Sequence, residues 1–219
     1  MIITNARRLQ RLTEDILDIT RIESKSLNIK KELFNLNEII LRAIADCNNQ
    51  VAKKHKDTNL KLEFTDPKEV IFIEADKGRI SQVISNFLSN AVKFTNEGTV
   101  TAAAVSDIDE VIVSITDTGT GIDSEILPRL FTKFATKSTT GTGLGLFISK
   151  SIIEAHGGKI WGKNNYPDGK GATFGFSLPL KNQNKSIALS VVIQTTATNQ
   201  SFAPEVNKIL NQLTMEDRK

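Results

Sequence analysis

Cysteine, histidine, tryptophan and tyrosine are almost absent from this chain of 219 residues. Its single cysteine, Cys47, cannot form an intramolecular disulfide, and two histidines beside one cysteine do not provide the ligand spacing of a zinc site. No second thiol is present to activate Cys47, so we interpret it as an inert helix residue. Disulfide scaffolds and Cys/His zinc proteins are therefore excluded.

Neither sign of charge dominates, and long apolar runs are lacking. Lys and Arg number 28 against 25 Asp and Glu, a net charge of +3 that is far from the strongly basic surface of a nucleic-acid binder. No uninterrupted apolar run approaches the ~20 residues that span a bilayer, and the N-terminus has no secretory pattern. We therefore expect a cytoplasmic protein with one main domain, no nucleic-acid partner and no membrane contact.

What the sequence does contain begins with a heptad-like pattern over residues 2 to 19. The positions of this seam are Ile2, Asn5, Leu9, Leu12, Ile16 and Ile19. Their 3-4 alternation predicts a coiled-coil-like helix with a narrow apolar seam, which needs a second helix to cover it. The alternative is a short N-terminal helix that folds onto the main domain.

Helix and strand patterns alternate from residue 25 to residue 180. We predict a helix from the N-cap Asn37 to about Lys56, a second that follows the cap Asp76 and runs through Phe94, and a third that ends near His156. Predicted strands cover residues 60–64, 70–73, 99–105, 111–116, 159–164 and 172–178, the last two joined by a turn at 166–169. The fold class is α+β, a two-layer sandwich of a mixed sheet with helices on one face.

The second predicted helix carries a candidate cation and phosphate site. Asn86 and Asn90 stand one turn apart on one face, with Lys93 beside Asn90. Carboxamide oxygens suit a hard cation such as Mg²⁺, and an ammonium suits phosphate. The alternative is that these polar side chains only face water.

The segment D-T-G-T-G-I at residues 117–122 follows a predicted strand directly. The carboxylate of Asp117 would accept a hydrogen bond from an exocyclic amine, while Gly119 and Gly121 would let the backbone pass close to a flat ring. This combination predicts recognition of an adenine-like base. The alternative is a simple Asp-Thr-Gly turn.

A second glycine-rich segment, G-T-G-L-G-L at residues 141–146, opens the third predicted helix. Its backbone N–H groups and the helix N-terminus would bind phosphate, although the flanking residues fit neither the Rossmann nor the Walker pattern. The preceding residues 131–140 are predicted to form a mobile lid pinned by Phe131 and Phe134. From this lid Lys137 would reach the terminal phosphate.

The order and spacing of these segments resemble the N, G1, F and G2 boxes of the sensor histidine kinase catalytic domain, which is of the GHKL type. The resemblance covers residues 25 to 180, including H-G-G-K-I-W at 156–161 and G-A-T-F at 171–174. It implies the Bergerat ATP-binding fold and the cofactors ATP and Mg²⁺.

The same resemblance assigns roles to single residues. It makes Asn90 the Mg²⁺ ligand with Asn86 beside it, Lys93 a phosphate contact and Asp117 the partner of the adenine amine. Gly119 and Gly121 would approach the base, and Asn86 and Lys137 are the candidate catalytic residues. The remaining implied ATP contacts are Phe94, Ile122, Phe134, Gly141, Thr142, Gly143, Leu144, Gly145 and Thr173.

The N-terminal helix, ending D-I-T-R-I-E at residues 18–23, resembles the second helix of the dimerisation and phosphotransfer stalk of these kinases. The resemblance divides the chain into a partial stalk at 1–24, a catalytic domain at 25–180 and a tail at 181–219 without an assigned role. It implies transfer to a histidine outside this sequence, because neither His55 nor His156 has the acidic neighbour of the acceptor. The implied partners are a histidine-bearing stalk or a self-dimer, and a response regulator receiver domain.

Two alternatives to the kinase remain. Gyrase-like, chaperone-like and mismatch-repair ATPases and anti-sigma serine kinases resemble this chain but place a glutamate base where Asn86 stands. Because a carboxamide does not take up a proton at neutral pH, Asn86 favours transfer to an already nucleophilic imidazole over hydrolysis. An ATP-binding pseudokinase that only regulates a complete kinase stays open.

Overall fold

Helices and strands alternate through the described part of this computed structural model, which covers residues 2–54, 59–65, 69–107, 109–137, 141–166 and 170–180. The helices are α1 (Ile2–Glu23), α2 (Leu36–Lys54), α3 (Lys77–Phe94) and α4 (Gly145–Ala155), with a 3-10 turn at Leu127–Arg129. The strands are β1 (Glu32–Asn35), β2 (Leu60–Phe64), β3 (Phe72–Ala75), β4 (Gly98–Ser106), β5 (Glu110–Asp117), β6 (Lys159–Asn164) and β7 (Ala172–Pro179).

The main sheet has five strands in the order β2-β4-β5-β7-β6, and β1 and β3 form a separate two-stranded sheet. Strand β2 runs parallel to β4, whereas the other neighbours in the main sheet are antiparallel. This arrangement confirms the predicted α+β fold with a mixed sheet. Alternate residues of β5 are buried, so Asp117 at its end lies on the same face as Val113 and Ile115.

Helix α3 forms the centre of the helical layer. Its buried side chains recur at helical spacing: Ile80, Val83, Ile84, Phe87, Leu88 and Ala91. The ring of Phe87 lies 5.7 Å from that of Phe174 in β7, centroid to centroid. The predicted cap is confirmed, because Oδ1 of Asp76 accepts a hydrogen bond from the N–H of Arg79 at 3.0 Å. Capping and packing thus fix the helix that carries the two candidate asparagines.

Two local predictions are wrong. Helix α2 begins at Leu36 and not after Asn37, because the side chain of Asn35 accepts a hydrogen bond from the N–H of Asn37 at 3.0 Å and acts as the cap. Asn37 is buried and donates its own amide to the carbonyl of Glu69. The strand predicted from Val70 begins only at Phe72, the residue that pairs with Asn35 of β1.

The predicted N-terminal helix is present as α1, and its C-terminal half lies on the domain. The carboxylate of Asp18, only 5% exposed, accepts hydrogen bonds from Nη1 of Arg79 at 2.8 Å and from Nε2 of Gln82 at 2.9 Å. Leu9 and Ile16 of the seam are 66% and 52% exposed. One side of α1 therefore contacts the domain while these two seam residues face outward.

His156 joins the end of α4 to the beginning of α3. Its Nε2 accepts a hydrogen bond from the N–H of Asp76 at 3.0 Å, and its Nδ1 lies 2.8 Å from the carbonyl of Ile152. Nδ1 must donate to that carbonyl, which fixes the tautomer. Because Nε2 accepts a hydrogen bond it carries no proton, and burial lowers the pKa of His156 in the direction that favours this neutral ring.

Parts of several predictions lie outside the described residues: His55, residues 138–140 of the lid, 167–169 of the last turn, and the tail at 181–219. Among the helices that are described, none combines the length and apolar character needed to cross a membrane.

Candidate functional site

The C-terminal half of α3 meets the start of α4 at the first candidate residue. Asn86 donates a hydrogen bond from Nδ2 to Oγ of Ser149 at 3.0 Å. A Cβ placed on Gly145 would lie 2.4 Å from Oδ1 of Asn86, so the absence of a side chain at Gly145 permits this approach. The structure thus brings the N box and the second glycine segment together.

Asn90, one turn further along α3, is half-buried. Among the described residues its carboxamide has no hydrogen-bond partner, unlike that of Asn86. The described residues contain no group of three His, Cys, Asp or Glu that would hold a metal. The amide oxygen of Asn90 nevertheless fits Mg²⁺, which prefers oxygen ligands and retains waters and phosphate oxygens as its other ligands.

Lys93 and Phe94 are the last two residues of α3. The ammonium of Lys93 lies 5.0 Å from the ring centroid of Phe94, and partial burial lowers the pKa of Lys93. The arrangement places a cation one turn from Asn90, and its contact with phosphate stays a prediction.

Asp117 is the most buried of the candidate polar side chains, with 3% exposure. Its Oδ1 accepts hydrogen bonds from the N–H groups of Gly119 at 2.9 Å and Ala172 at 3.3 Å. Burial raises the pKa of Asp117, and these two N–H groups oppose that rise. Both of these hydrogen bonds are made by Oδ1, and among the described residues none is made by Oδ2.

The loop at residues 117–122 packs against the end of α3. The N–H of Thr120 donates to the carbonyl of Phe94 at 3.1 Å, and a Cβ placed on Gly119 would lie 2.2 Å from that oxygen. Gly121 has a φ of +75°, which favours glycine. The sequence predicted that Gly119 makes room for a base; its observed neighbour is the helix end.

Thr173 takes part in a hydroxyl chain beside Asp117. Its Oγ1 lies 3.0 Å from Oγ1 of Thr116 and donates to Oδ1 of Asn165 at 2.6 Å. Sequence reasoning missed Asn165 and its neighbour Asn164, because adjacent asparagines after a strand are also typical turn residues. The pairing of β6 with β7 brings them to this loop.

The second glycine segment is held on both sides. The N–H of Phe134 donates to the carbonyl of Gly143 at 2.9 Å, and Gly143 has a φ of +69°. Thr142 accepts a hydrogen bond from the N–H of buried Leu144 at 3.3 Å and donates to Oδ2 of Asp15 on α1 at 3.1 Å. No side chain caps α4 at Leu144. Gly141 is half-buried next to this turn.

The predicted lid differs from expectation at Phe134. Phe131 packs against the core, but the side chain of Phe134 is 67% exposed, so the prediction that it pins the lid is wrong. Its backbone is instead fixed by the contact with Gly143, at a φ of +62°.

Lys137 lies between two carboxylates. Its Nζ is 2.8 Å from Oε2 of Glu125 and 2.9 Å from Oδ2 of Asp123, and these hydrogen bonds raise its pKa. In this conformation the ammonium contacts the acidic pair. Its predicted phosphate contact therefore requires that it leave these carboxylates.

Residues 75–182 match the family described as "Histidine kinase-, DNA gyrase B-, and HSP90-like ATPase". Two curated relatives are the sensor protein KdpD of Clostridium acetobutylicum and the sensor histidine kinase ZraS of Salmonella typhi, each 36% identical. The matches cover 78% and 80% of this chain but only 19% and 36% of the relatives, so the chain corresponds to a small part of each.

Solved structures of histidine kinases are also similar to this chain. The catalytic domain of histidine kinase ThkA, in a nucleotide-free form, is 34% identical with a TM-score of 0.59, over 68% of this chain and 95% of that one. Full-length ShkA in complex with AMPPNP is 28% identical with a TM-score of 0.66, over 78% and 35% of the two chains. ThkA in complex with response regulator TrrA is 32% identical with a TM-score of 0.62, over 82% and 50%.

Proposed function

Because the chain belongs to the family of histidine kinase-, DNA gyrase B- and HSP90-like ATPases, we propose that it is the ATP-binding catalytic part of a sensor histidine kinase. Residues 25–180 bind Mg-ATP, and α1 is the second helix of the stalk. The γ-phosphoryl group is transferred to a stalk histidine outside this sequence. The observation that carries the proposal is the convergence of both glycine segments on the C-terminal half of α3.

The adenine end of the site is the loop at residues 117–122. The unoccupied oxygen of Asp117 accepts the exocyclic amine, and the raised pKa of this carboxyl reflects a site shielded from water. In such surroundings a hydrogen bond from the ligand to a carboxylate stabilises binding more than it would in water. The rest of the loop, through Ile122, borders the ring.

The phosphate end is the start of α4. Its first N–H groups belong to the end of the glycine segment, and no side chain caps them at Leu144, so they attract anions together with the helix dipole. Asn90 would hold Mg²⁺, which neutralises phosphate charge when bound. Lys93 adds a positive charge on the same side of α3.

Asn86 favours phosphoryl transfer over hydrolysis. Its amide is held by Ser149 and it has no basic form at neutral pH, so it cannot deprotonate a water molecule. An imidazole acceptor requires no such base, and positioning with charge neutralisation suffices.

The related structures and the exposed side of α1 support two kinds of partner. The ShkA structure holds a nucleotide analogue and the ThkA structure a response regulator, which supports ATP and a receiver domain as partners here. The outward-facing Leu9 and Ile16 support pairing with another stalk helix, from a complete kinase or a second copy.

Calorimetric titration with ATP, with and without Mg²⁺, tests the site assignment. The unaltered chain is expected to bind ATP more tightly with Mg²⁺, and Asn90→Ala to abolish that difference. Asp117→Asn is expected to weaken ATP binding roughly tenfold to a hundredfold, because the amine loses a charged acceptor. Asn48→Ala, at an exposed position of α2, is the matched control. Unchanged binding in both site variants would refute the assignment.

Lys137→Ala is expected to slow phosphoryl transfer about tenfold or more while leaving ADP affinity within about twofold, since ADP lacks the phosphate that Lys137 contacts. Single-turnover transfer to a stalk fragment and titration with ADP measure the two effects. Equal losses for ADP and ATP, or none, would mean that Lys137 serves only in its pair with Asp123 and Glu125.

A further inference from the structure

Two adjacent asparagines that the proposed chemistry does not use, Asn164 and Asn165, lie where β6 ends. Both carboxamides are directed to backbone groups of the loop at residues 117–122. Their contacts reach opposite ends of that loop, Ile122 and Asp117.

Asn164 binds the far end of the loop through both of its polar atoms. Its Oδ1 accepts a hydrogen bond from the N–H of Ile122 at 2.6 Å, and its Nδ2 donates to the carbonyl of Ile122 at 3.0 Å. A carboxamide thus pairs with Ile122 as a neighbouring strand would. The N–H and the carbonyl of Ile122 are therefore both fixed by this one side chain.

Asn165 binds the near end. Its Nδ2 donates to the carbonyl of Asp117 at 2.8 Å, while its Oδ1 accepts from Oγ1 of Thr173. Because the Thr173 hydroxyl donates to Asn165, Thr116 must donate to Thr173 across their 3.0 Å contact. One side chain therefore fixes the backbone of Asp117 and the direction of the hydroxyl chain.

The hairpin of β6 and β7 supports the middle of the loop as well. The N–H of Gly171 donates to the carbonyl of Gly119 at 2.7 Å, and the N–H of Asn165 donates to the carbonyl of Gly171 at 3.0 Å. A Cβ placed on Gly171 would lie 2.2 Å from the carbonyl oxygen of Asp117. The loop is thus held at its start, its middle and its end.

We propose that Asn164 and Asn165 are positioning residues that determine the preference of this site for an adenine base; this inference rests on the proposed function. The Asp117 carboxylate has one oxygen left for the ligand, so its position decides which base is accepted. A rigidly held acceptor binds the 6-amino group of adenine and rejects the 6-oxo group of guanine, because two acceptors would then face each other in a site shielded from water.

Competition titrations with Mg-ATP and Mg-GTP on the unaltered chain and on Asn165→Ala test the inference. We expect Asn165→Ala to weaken ATP binding about tenfold and to change GTP binding less than twofold, since GTP does not use the positioned oxygen. In transfer assays KM for ATP should rise about tenfold while kcat at saturating ATP stays within about twofold, because the phosphate end is untouched.

A merely structural role has a different signature. Loss of folded protein would lower the number of binding sites per chain and affect ATP and GTP alike, without the separation of KM from kcat. The matched control is Asn48→Ala, an exposed asparagine on α2. If Asn165→Ala does not fold, Asn164→Ala at the other end of the loop should give the same loss of selectivity.

The outcomes separate this inference from the function on which it rests. An unaltered chain that does not bind ATP would refute the proposed function. An unaltered chain that prefers ATP, with the same ATP-to-GTP ratio in the folded asparagine variants, would overturn the positioning role alone.

Discussion

Gly119→Ala is expected to lower the free energy of unfolding by about 3 kcal/mol or more, because its Cβ has no room. The new atom would lie 2.2 Å from the carbonyl oxygen of Phe94, a backbone atom that side-chain rotation cannot move. Either the loop or the end of α3 must shift, and both carry candidate ATP contacts. The melting temperature should fall roughly 6–12 °C, and ATP affinity should fall with it.

Gly78→Ala is the matched control for this substitution. Its Cβ would lie 3.5 Å from Oδ1 of Asp76, an ordinary contact, and Gly78 is the second residue of α3. There alanine is favoured over glycine by up to about 1 kcal/mol, so stability should hold or rise. Thermal and denaturant unfolding of both variants measure the difference. If Gly119→Ala had the same melting temperature as the unaltered chain and bound ATP normally, the close packing of the loop against α3 would not matter for stability or binding.

The same glycine shows what the sequence predicts and what it does not. A pair of glycines after a strand signals a close backbone approach, and the structure contains one. The sequence does not identify the neighbour, since the end of α3 precedes the loop by more than twenty residues along the chain. That partner is fixed only by tertiary packing.

Local periodicity was sufficient for the main elements. The apolar spacing of α3 and the alternation of β5 each follow from repeats of 3.6 and 2 residues, which the sequence displays directly. Capping was less predictable. Asp76 was the expected cap and acts as one, whereas Asn35 replaces Asn37 because both residues have suitable side chains and the start of α2 is set by the small sheet.

In the candidate site, too, the residues of short linear segments are predictable from the sequence, whereas those that depend on tertiary packing are not. Asn86, Asp117 and Gly145 belong to short linear segments, so their residue types and spacing alone indicate a chemistry. Asn164 and Asn165 act through the register of β6 on β7 and the position of a distant loop. The prediction for Phe134 is wrong for a related reason. Its aromatic character suggests burial, but at this position the backbone is fixed while the ring faces outward.

Incubated alone with γ-labelled ATP, this chain is expected to acquire no acid-labile phosphohistidine. His156 is buried, its Nε2 accepts a hydrogen bond from Asp76 and its Nδ1 donates to Ile152. An imidazole attacks phosphorus with an unprotonated, accessible nitrogen, and His156 offers none. Label on His156 in the lone chain would overturn both the kinase and the pseudokinase interpretation.

Addition of a stalk fragment that carries an acceptor helix is expected to give transfer in trans. Helix α1 has 22 residues, about 33 Å at 1.5 Å per residue, and a short seam gives weak association, so the rate should rise with fragment concentration.

Ile16→Asp, on the exposed seam, should lower the rate of transfer about tenfold or more without changing ATP affinity. Glu14→Ala, exposed beside the seam, is the matched control. If the chain binds Mg-ATP normally but phosphorylates no cognate stalk, the pseudokinase interpretation replaces the kinase interpretation. If Ile16→Asp transfers phosphate as fast as the unaltered chain, the assignment of α1 to the stalk is wrong.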